Sequence, residues 1–285
     1  MKQEKIKQLL EFGIININKP SGPTSFTVSE YVKKQLGLRK TSHFGTLDPK
    51  VTGVLPVALN RACKLTGFFL GHDKEYMGIM HTHKEQEMAE LQKIIDKNFV
   101  GKIKQMPPVK SAVKRAERER EVKRFELLEQ GENNKDFLFI AEVEGGTYIR
   151  KLCSDLGDMK EVEGAHMLEL RRIRAGILSE EDNLVDLNEF TEAVEDYKKG
   201  NEEKLQKMIM PAEDAIKKIM PIVEVKRTAL KKLLTGKPLF KKDITGPVPA
   251  EDVFAVFCGS RFVEIVEKTN KKGKDVLAKS LFVCN

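Results

Sequence analysis

Hydrophobic and polar positions alternate along residues 13–19, GIININK, with the period of two expected of a half-buried strand, and PSGPTS then breaks the alternation with two prolines and a glycine. A helical period follows from about Val28 to Leu36. Val28, Tyr31, Val32 and Leu36 fall on one face, Thr27 with Glu30 forms a candidate capping box, and Gly37 is placed to end the helix. KEYMGIMHTH at 74–83 and DFLFIAEVEGG at 136–146 read as strands, the second apolar on both faces at its start, like a central strand covered by helices. TYIRKLCSDLG then reads as a helix with Thr147 as candidate cap, Ile149, Leu152 and Leu156 as its inner stripe, and Gly157 as its stop. Residues 179–206 are acidic and helical in pattern, and MIMPAEDAIKKIMP leads to a boundary near Pro221. Beyond it, PIVEV, DVFAVF and FVEIVEK are short strand-like pieces separated by Gly, Pro and Lys turns, which predicts a small all-β module. Strands and helices alternate unevenly, so an α+β sheet domain is expected rather than a doubly wound fold.

Composition narrows the class. A chain of 285 residues suits one large domain and a smaller one, and 40% hydrophobic with 33% charged residues excludes a wholly disordered chain. The formal charge of +7 favours a polyanionic partner, ordinary solubility charge being the alternative. Cys63, Cys153, Cys258 and Cys284 form no C-x-x-C pair, so reduced structural thiols are expected rather than a zinc or redox site. The N-terminal MKQEKIKQLLEF lacks the apolar core of a signal peptide, and no window reaches the roughly 18 apolar residues of a membrane span. The expectation is a cytoplasmic protein without membrane association, nuclear or nucleolar if the cell is nucleated.

Several residues carry candidate chemistry. His81 and His83 lie two apart on a predicted strand and hence on one face, but two histidines without further ligands at recognisable spacing fall short of a metal site. The run SAVKRAEREREVKR, Ser111 to Arg124, interleaves basic and acidic residues and predicts a solvated helix with internal ion pairs. Arg171, Arg172 and Arg174 are free of interleaved acids, which leaves a phosphate-binding group or a helix-end charge cluster. Tyr148 and Arg150 follow a Gly-Gly turn at the mouth of a predicted central strand, where sites are often built, but read alone they are better taken as a packing tyrosine and a surface arginine. Asp48, in TSHFGTLDPKVTGVLPVAL, sits between Gly45, which permits unusual backbone angles, and Pro49, which keeps Asp48 out of helical conformation. Locally this is a rigid turn that presents a carboxylate.

Together NKPSGPTS, HFGTLDPKVTGVLPVAL, KEY, QMPPVKSAVKR, GTYIRKLCSDLG and GAHMLELRRIRAG resemble, in order, the motifs of the TruB/dyskerin family of RNA pseudouridine synthases. DPKVTGVLPVAL and SAVKR look more like its archaeal and eukaryotic branch, the catalytic subunit of box H/ACA ribonucleoproteins, than like the bacterial stand-alone tRNA enzyme. The resemblance implies a pseudouridine synthase fold with a mixed, largely antiparallel central sheet flanked by helices, at residues 13–215. It implies a small C-terminal β-barrel, PUA-like and RNA-binding, at 221–285.

By the same resemblance Asp48 is the catalytic aspartate, nucleophile or base, and no cofactor or metal is needed. Tyr76 matches the family's base-stacking tyrosine, Leu170 its apolar pocket residue, Tyr148 its second site tyrosine, and Arg150 the arginine that pairs with the aspartate. His43 matches the histidine that helps hold the flipped nucleotide, and Lys19 with Pro20 the motif that supports the catalytic loop. The implied partners are an rRNA or tRNA substrate, a box H/ACA guide RNA and small H/ACA proteins. Guide-independent modification of the tRNA T-loop and a non-catalytic RNA-binding scaffold are the alternatives. Two departures touch the site: Ser42 and Phe44 replace smaller residues beside the motif's histidine, and Phe44 is expected to crowd or reshape the base pocket. The later glycine-rich PUA signature is poorly matched.

Overall fold

The structure, a computed structural model, describes residues 2–107, 116–269 and 275–285. Most of the PPVKSAVKR motif, with Ser111, Lys114 and Arg115, lies outside the described residues. The chain divides into two units, Met1–Ile209 and Met210–Asn285.

In chain order the first unit comprises α1 (Lys2–Glu11), β1 (Gly13–Lys19), α2 (Ser25–Leu36), β2 (Thr41–His43), β3 (Thr52–Leu59), α3 (Thr66–Leu70), β4 (Lys74–Thr82), α4 (Met88–Asn98) and β5 (Gly101–Gln105). It continues with β6 (Arg118–Gln130), β7 (Asp136–Val143), α5 (Ile149–Gly157), β8 (Ala165–Ala175), β9 (Leu178–Ser179), β10 (Val185–Asp186), α6 (Leu187–Lys198) and α7 (Glu203–Met208), and β11 (Ile209–Pro211) follows at the boundary. The sheet runs β10-β1-β3-β8-β4-β7-β6-β5, with β2 on β3 and β9 on β8. It is mixed: β1/β10 and β3/β8 are parallel, while β1/β3, β4/β8, β4/β7, β5/β6 and β6/β7 are antiparallel. The protein is thus α+β, as its uneven pattern predicts. No helix among the described residues is long and apolar enough to cross a membrane.

β3 lies between β1 and β8 and is buried from Gly53 to Leu59, which accounts for its unbroken apolar run. β4 buries every second residue from Lys74 to Thr82. Between them, Gly53 takes a positive φ of 99°, and a Cβ there would stand 2.2 Å from the carbonyl oxygen of Arg172 on β8. Only glycine allows β3 and β8 to approach this closely.

Four local expectations are corrected. α2 begins three residues before Val28, with Thr24 rather than Thr27 as its cap: the Thr24 hydroxyl accepts from the Thr27 amide at 3.0 Å, while Glu30 pairs with Lys33. α5 begins at Ile149 without a side-chain cap, and the buried Thr147 hydroxyl has no hydrogen-bond partner among the described residues. The described part of the 111–124 run is strand, not helix: from Arg118 it forms β6, and its ion pairs run across the ladder, Lys102–Glu119 at 3.0 Å and Lys104–Glu117 at 3.4 Å. The arginine trio belongs to β8, not to a helix end, and is used internally. Arg171 pairs with Glu180, Arg174 with Glu75 and Glu142, and Arg172 is buried, so no free phosphate-binding group is left there.

The second unit contains α8 (Ala212–Ile219), β12 (Ile222–Glu224), α9 (Arg227–Leu233), β13 (Leu239–Phe240), β14 (Val253–Cys258), β15 (Arg261–Lys268) and β16 (Val276–Val283). Its five-stranded sheet runs β12-β14-β15-β16-β13. Two helices make it α+β rather than all-β: Ala229 and Leu233, four apart, bury one face of α9 against a core that includes Val223, Phe254, Val256 and Val266.

Within β15, Glu264 is fully buried in an apolar run, and neither of its carboxylate oxygens has a hydrogen-bond partner among the described residues. Burial pushes its carboxyl up to about 7, the neighbouring Ser280 hydroxyl offsetting part of the shift. A carboxyl that keeps its proton more tightly when folded stabilises the fold fully below its unfolded pKa, and that stability is lost as the pH rises through about 7. In urea unfolding of the full chain, the transition that reports on the second unit should therefore move to lower urea between pH 5 and pH 8. Glu264→Gln should flatten that dependence and raise the midpoint at pH 8.

Candidate active site

The loop from Phe44 to Val51 joins β2 to β3 and presents Asp48, and buried polar groups secure it on both sides. Lys19, at the end of β1, is fully buried and donates its three ammonium hydrogens to the carbonyls of Pro20 at 2.8 Å, Pro49 at 2.9 Å and Val51 at 2.8 Å. Burial lowers its pKa, and the Asp48 charge opposes that shift. Ser25, the first residue of α2, donates its hydroxyl to the Leu47 carbonyl at 3.0 Å and accepts from the Leu47 amide at 2.8 Å. The Val51 amide closes the turn on the Asp48 carbonyl at 3.0 Å.

Arg172 reaches the same loop from β8. Its Nε donates to the Val54 carbonyl at 2.8 Å and its Nη2 to the Gly45 carbonyl at 3.0 Å. Burial lowers the Arg172 pKa, with the Tyr76 hydroxyl opposing. Tyr76 is opposite Arg172 in the β4/β8 register, and Gly78 is opposite Leu170, so these side chains share one face of the sheet. A Cβ on Gly78 would meet the Leu170 Cδ1 at 2.8 Å, so the glycine leaves the space that Leu170 fills. Tyr76 and Leu170 are each 8% exposed and form an apolar wall on the face from which Arg172 reaches the Asp48 loop.

Arg150, in the first turn of α5, lies with Nη2 3.1 Å from the Asp48 Oδ2, both side chains about half exposed at 51% and 48%. One residue before α5, Tyr148 is clamped through its backbone: the Gln105 amide donates to its carbonyl at 3.1 Å, and its own amide donates to the Gln105 oxygen at 2.8 Å. His43 is within hydrogen-bond reach of the Thr46 hydroxyl at 3.1 Å, and burial followed by the Arg172 charge lowers its pKa.

Phe44 is taken up by packing. It is 2% exposed and stacks on Phe69 of α3 with ring centroids 4.4 Å apart, while the Ser42 hydroxyl accepts from Thr66 at 3.0 Å. The two departures therefore both contact the 66–70 helix, Phe44 through Phe69 and Ser42 through Thr66.

Ser25, Lys74, Gln105 and the role of Arg172 escaped the sequence reading. Ser25, Lys74 and Gln105 stand inside the quoted motifs PSGPTS, KEY and QMPP, so the signal was present, but only folded contacts show what each touches. Lys74 is buried, donates to the carbonyls of Leu70 and His72, and is pushed down to about 8 by burial and by Arg172. His81 and His83 gain a neighbour, His166, whose Nδ1 is 3.2 Å from the His83 Nε2, while the His81 Nδ1 lies 2.7 Å from Asp136. Among the described residues no group of three or more side chains is arranged to hold a metal.

Residues 33–149 match the N-terminal domain of the TruB family pseudouridylate synthases, and residues 150–217 match the tRNA pseudouridylate synthase B C-terminal domain. The "Probable tRNA pseudouridine synthase B" of Methanocaldococcus jannaschii is 42% identical over 243 residues, covering 85% of this chain and 70% of that protein. Its namesake in Methanopyrus kandleri is 43% identical over 238 residues, covering 83% of this chain and 69% of that one. Among solved structures, a Cbf5-Nop10-Gar1 complex contains a chain with a TM-score of 0.87 and 36% identity, over 98% of this chain and 86% of that one. An H/ACA ribonucleoprotein bound to a substrate RNA containing 2'-deoxyuridine contains one with a TM-score of 0.85 and 34% identity, over the same shares.

Because Arg172 donates to the carbonyls of Gly45 and Val54, Arg172→Met should cost about 3 kcal/mol in urea unfolding, each carbonyl losing a charged donor. Ser25→Ala, which unties only Leu47, should cost about 1 kcal/mol in the same measurement.

Proposed function

The chain belongs to the TruB family of pseudouridine synthases, and from that membership we propose that Asp48 is its catalytic residue and RNA uridine its substrate. The protein is an isomerase. Conversion of uridine to pseudouridine breaks the N1–C1' glycosidic bond, turns the detached base and joins its C5 to C1', after which the C5 proton leaves and N1 gains one. A carboxylate serves this sequence either by attack on the sugar or base, or by removing the C2' proton to give a glycal.

The observation that carries the assignment is the 3.1 Å contact of Asp48 with Arg150, on a loop held by Lys19, Ser25 and Arg172. Arg150 orients the carboxylate by a charge-assisted contact, so the reactive oxygen meets the sugar without first being ordered. The uridine has to leave the RNA stack, at a cost of a few kcal/mol. Tyr76 then stacks on the base, Leu170 backs it, and Tyr148 and His43 hold the turned-out nucleotide.

The likeness to chains of Cbf5 complexes, one of them with substrate RNA, supports action as the catalytic subunit of a guide-RNA particle with small H/ACA proteins. The names of the archaeal relatives favour a second reading, direct modification of tRNA. The second unit, in the position of a PUA-like module, would add RNA contacts.

Asp48→Asn should abolish tritium release from RNA carrying [5-³H]uridine, by at least about a thousandfold, while changing RNA affinity by less than about threefold. Undiminished turnover would overturn the role of Asp48. Arg150→Ala should lower kcat by roughly a hundredfold, because the carboxylate loses its orienting partner. The same release, measured on bare tRNA transcript and on a guide–target pair with H/ACA proteins added, separates the two modes of action.

A further inference from the structure

Beside Tyr148 a cavity of about 60 Å³ opens between the end of β5, the start of β6 and the turn before α5, lined by Gln105, Pro107, Arg118, Arg120, Gly146 and Tyr148. The strand period decides which charges of the interleaved run face it. Arg118 and Arg120 are half-buried in the row that continues to the buried Val122, whereas Glu119 and Glu121 are exposed in the opposite row. The acids of β6 are thus turned to solvent, and two guanidinium groups point inward to the cavity wall.

Arg120 is held in an unusual way. Its Nη1 donates to the Glu119 carbonyl at 3.1 Å and lies 3.5 Å from Glu144, while its Nε is buried with no acceptor among the described residues. The guanidinium rests on Gly146, whose φ is +93°. A Cβ there would stand 3.2 Å from Nη2 and 3.4 Å from Nε, so the second glycine of the Gly-Gly turn makes room for the arginine. A buried donor without an acceptor is costly unless a ligand supplies one. The edge of a guanidinium that carries Nε and Nη2 is a fork suited to two oxygens of one oxyanion.

We propose that this cavity seats a backbone phosphate of the substrate RNA, gripped by Arg120, beside the uridine that turns out toward Asp48. The proposal rests on the assignment of RNA as substrate. Its position fits: Tyr148 is at once a wall of the cavity and the residue two before Arg150, and the Gln105 clamp on its backbone ties the phosphate seat to the start of α5. A phosphate fixed there sets the register of the strand without reading its sequence, leaving the base to the Tyr76 and Leu170 wall.

The test is filter binding of the full-length protein to unmodified tRNA transcript, over KCl from about 50 to 300 mM. Arg120→Ala should bind roughly tenfold more weakly, with the slope of log K against log salt shallower by about one, as expected for one lost phosphate contact. Arg120→Lys should recover the slope but only part of the affinity, because lysine keeps the charge and loses the fork. In turnover the Arg120→Ala loss should appear in KM more than in kcat. A purely structural arginine gives a different result, a lower thermal midpoint with an unchanged salt slope, and that result, or unchanged binding, overturns the proposal. Asp48→Asn measured alongside keeps the two readings apart: it should hold the full salt slope while losing turnover, so a failed catalytic assignment shows in turnover and a failed phosphate seat in the slope.

Discussion

The site depends on two buried cations that have backbone carbonyls, rather than carboxylates, as their hydrogen-bond partners. Lys19 gathers the carbonyls of Pro20, Pro49 and Val51, and Arg172 those of Gly45 and Val54, so the loop that carries Asp48 is gripped on both sides of the aspartate. Desolvating a lysine and an arginine is expensive, and the carbonyl dipoles repay it only if the loop keeps one shape. The cost of burial thereby becomes rigidity in the loop that carries Asp48. The nearest charges also shape the surroundings: Arg172 adds to burial in lowering the pKa of both His43 and Lys74.

Charge placement elsewhere follows strand geometry. The interleaved run around Arg118–Arg124 looks like a solvated helix in one dimension, because alternating signs at short spacing suit helical ion pairs. On a strand the same alternation sorts the signs onto opposite faces. Glutamates meet the lysines of β5 in solvent and arginines line a cavity, so one sequence pattern yields an ion-pair ladder outside and a cationic wall inside. The trio on β8 shows the complementary effect: three neighbouring arginines have separate partners because β8 presents successive residues to different neighbours.

Phe44 illustrates how a bulky substitution near a site is absorbed. Its direction is set by the loop that leaves β2, where the Phe44 amide bonds the Pro56 carbonyl at 2.9 Å, and this turns the ring onto Phe69. The added aromatic area goes to packing.

Much of the molecule was legible along the chain. Strands β4 and β7 announced themselves by period and composition, α5 by its Ile149, Leu152 and Leu156 stripe, and the α+β class by uneven alternation, because each depends on neighbours a few residues away; β1 was legible as a strand, but it is buried on both faces rather than half-buried as its alternation predicts, since Asn16 and Lys19 find internal partners. The resemblance carried by ordered motifs pointed to the family, and the comparisons establish it. What the sequence could not determine is every relation across the sheet. Asp48 and Arg150 are far apart in the chain and meet only because their loops are brought together, and Arg172 reaches Gly45 only because β8 runs beside β3. The run at β6 became a strand because pairing with β5 and β7 outweighed local helix preference, and the cap of α2 moved to Thr24 because hydrogen-bond geometry, not residue type, selects among nearby threonines. Local order follows from local spacing, whereas the charge of a site depends on which distant backbone comes within reach.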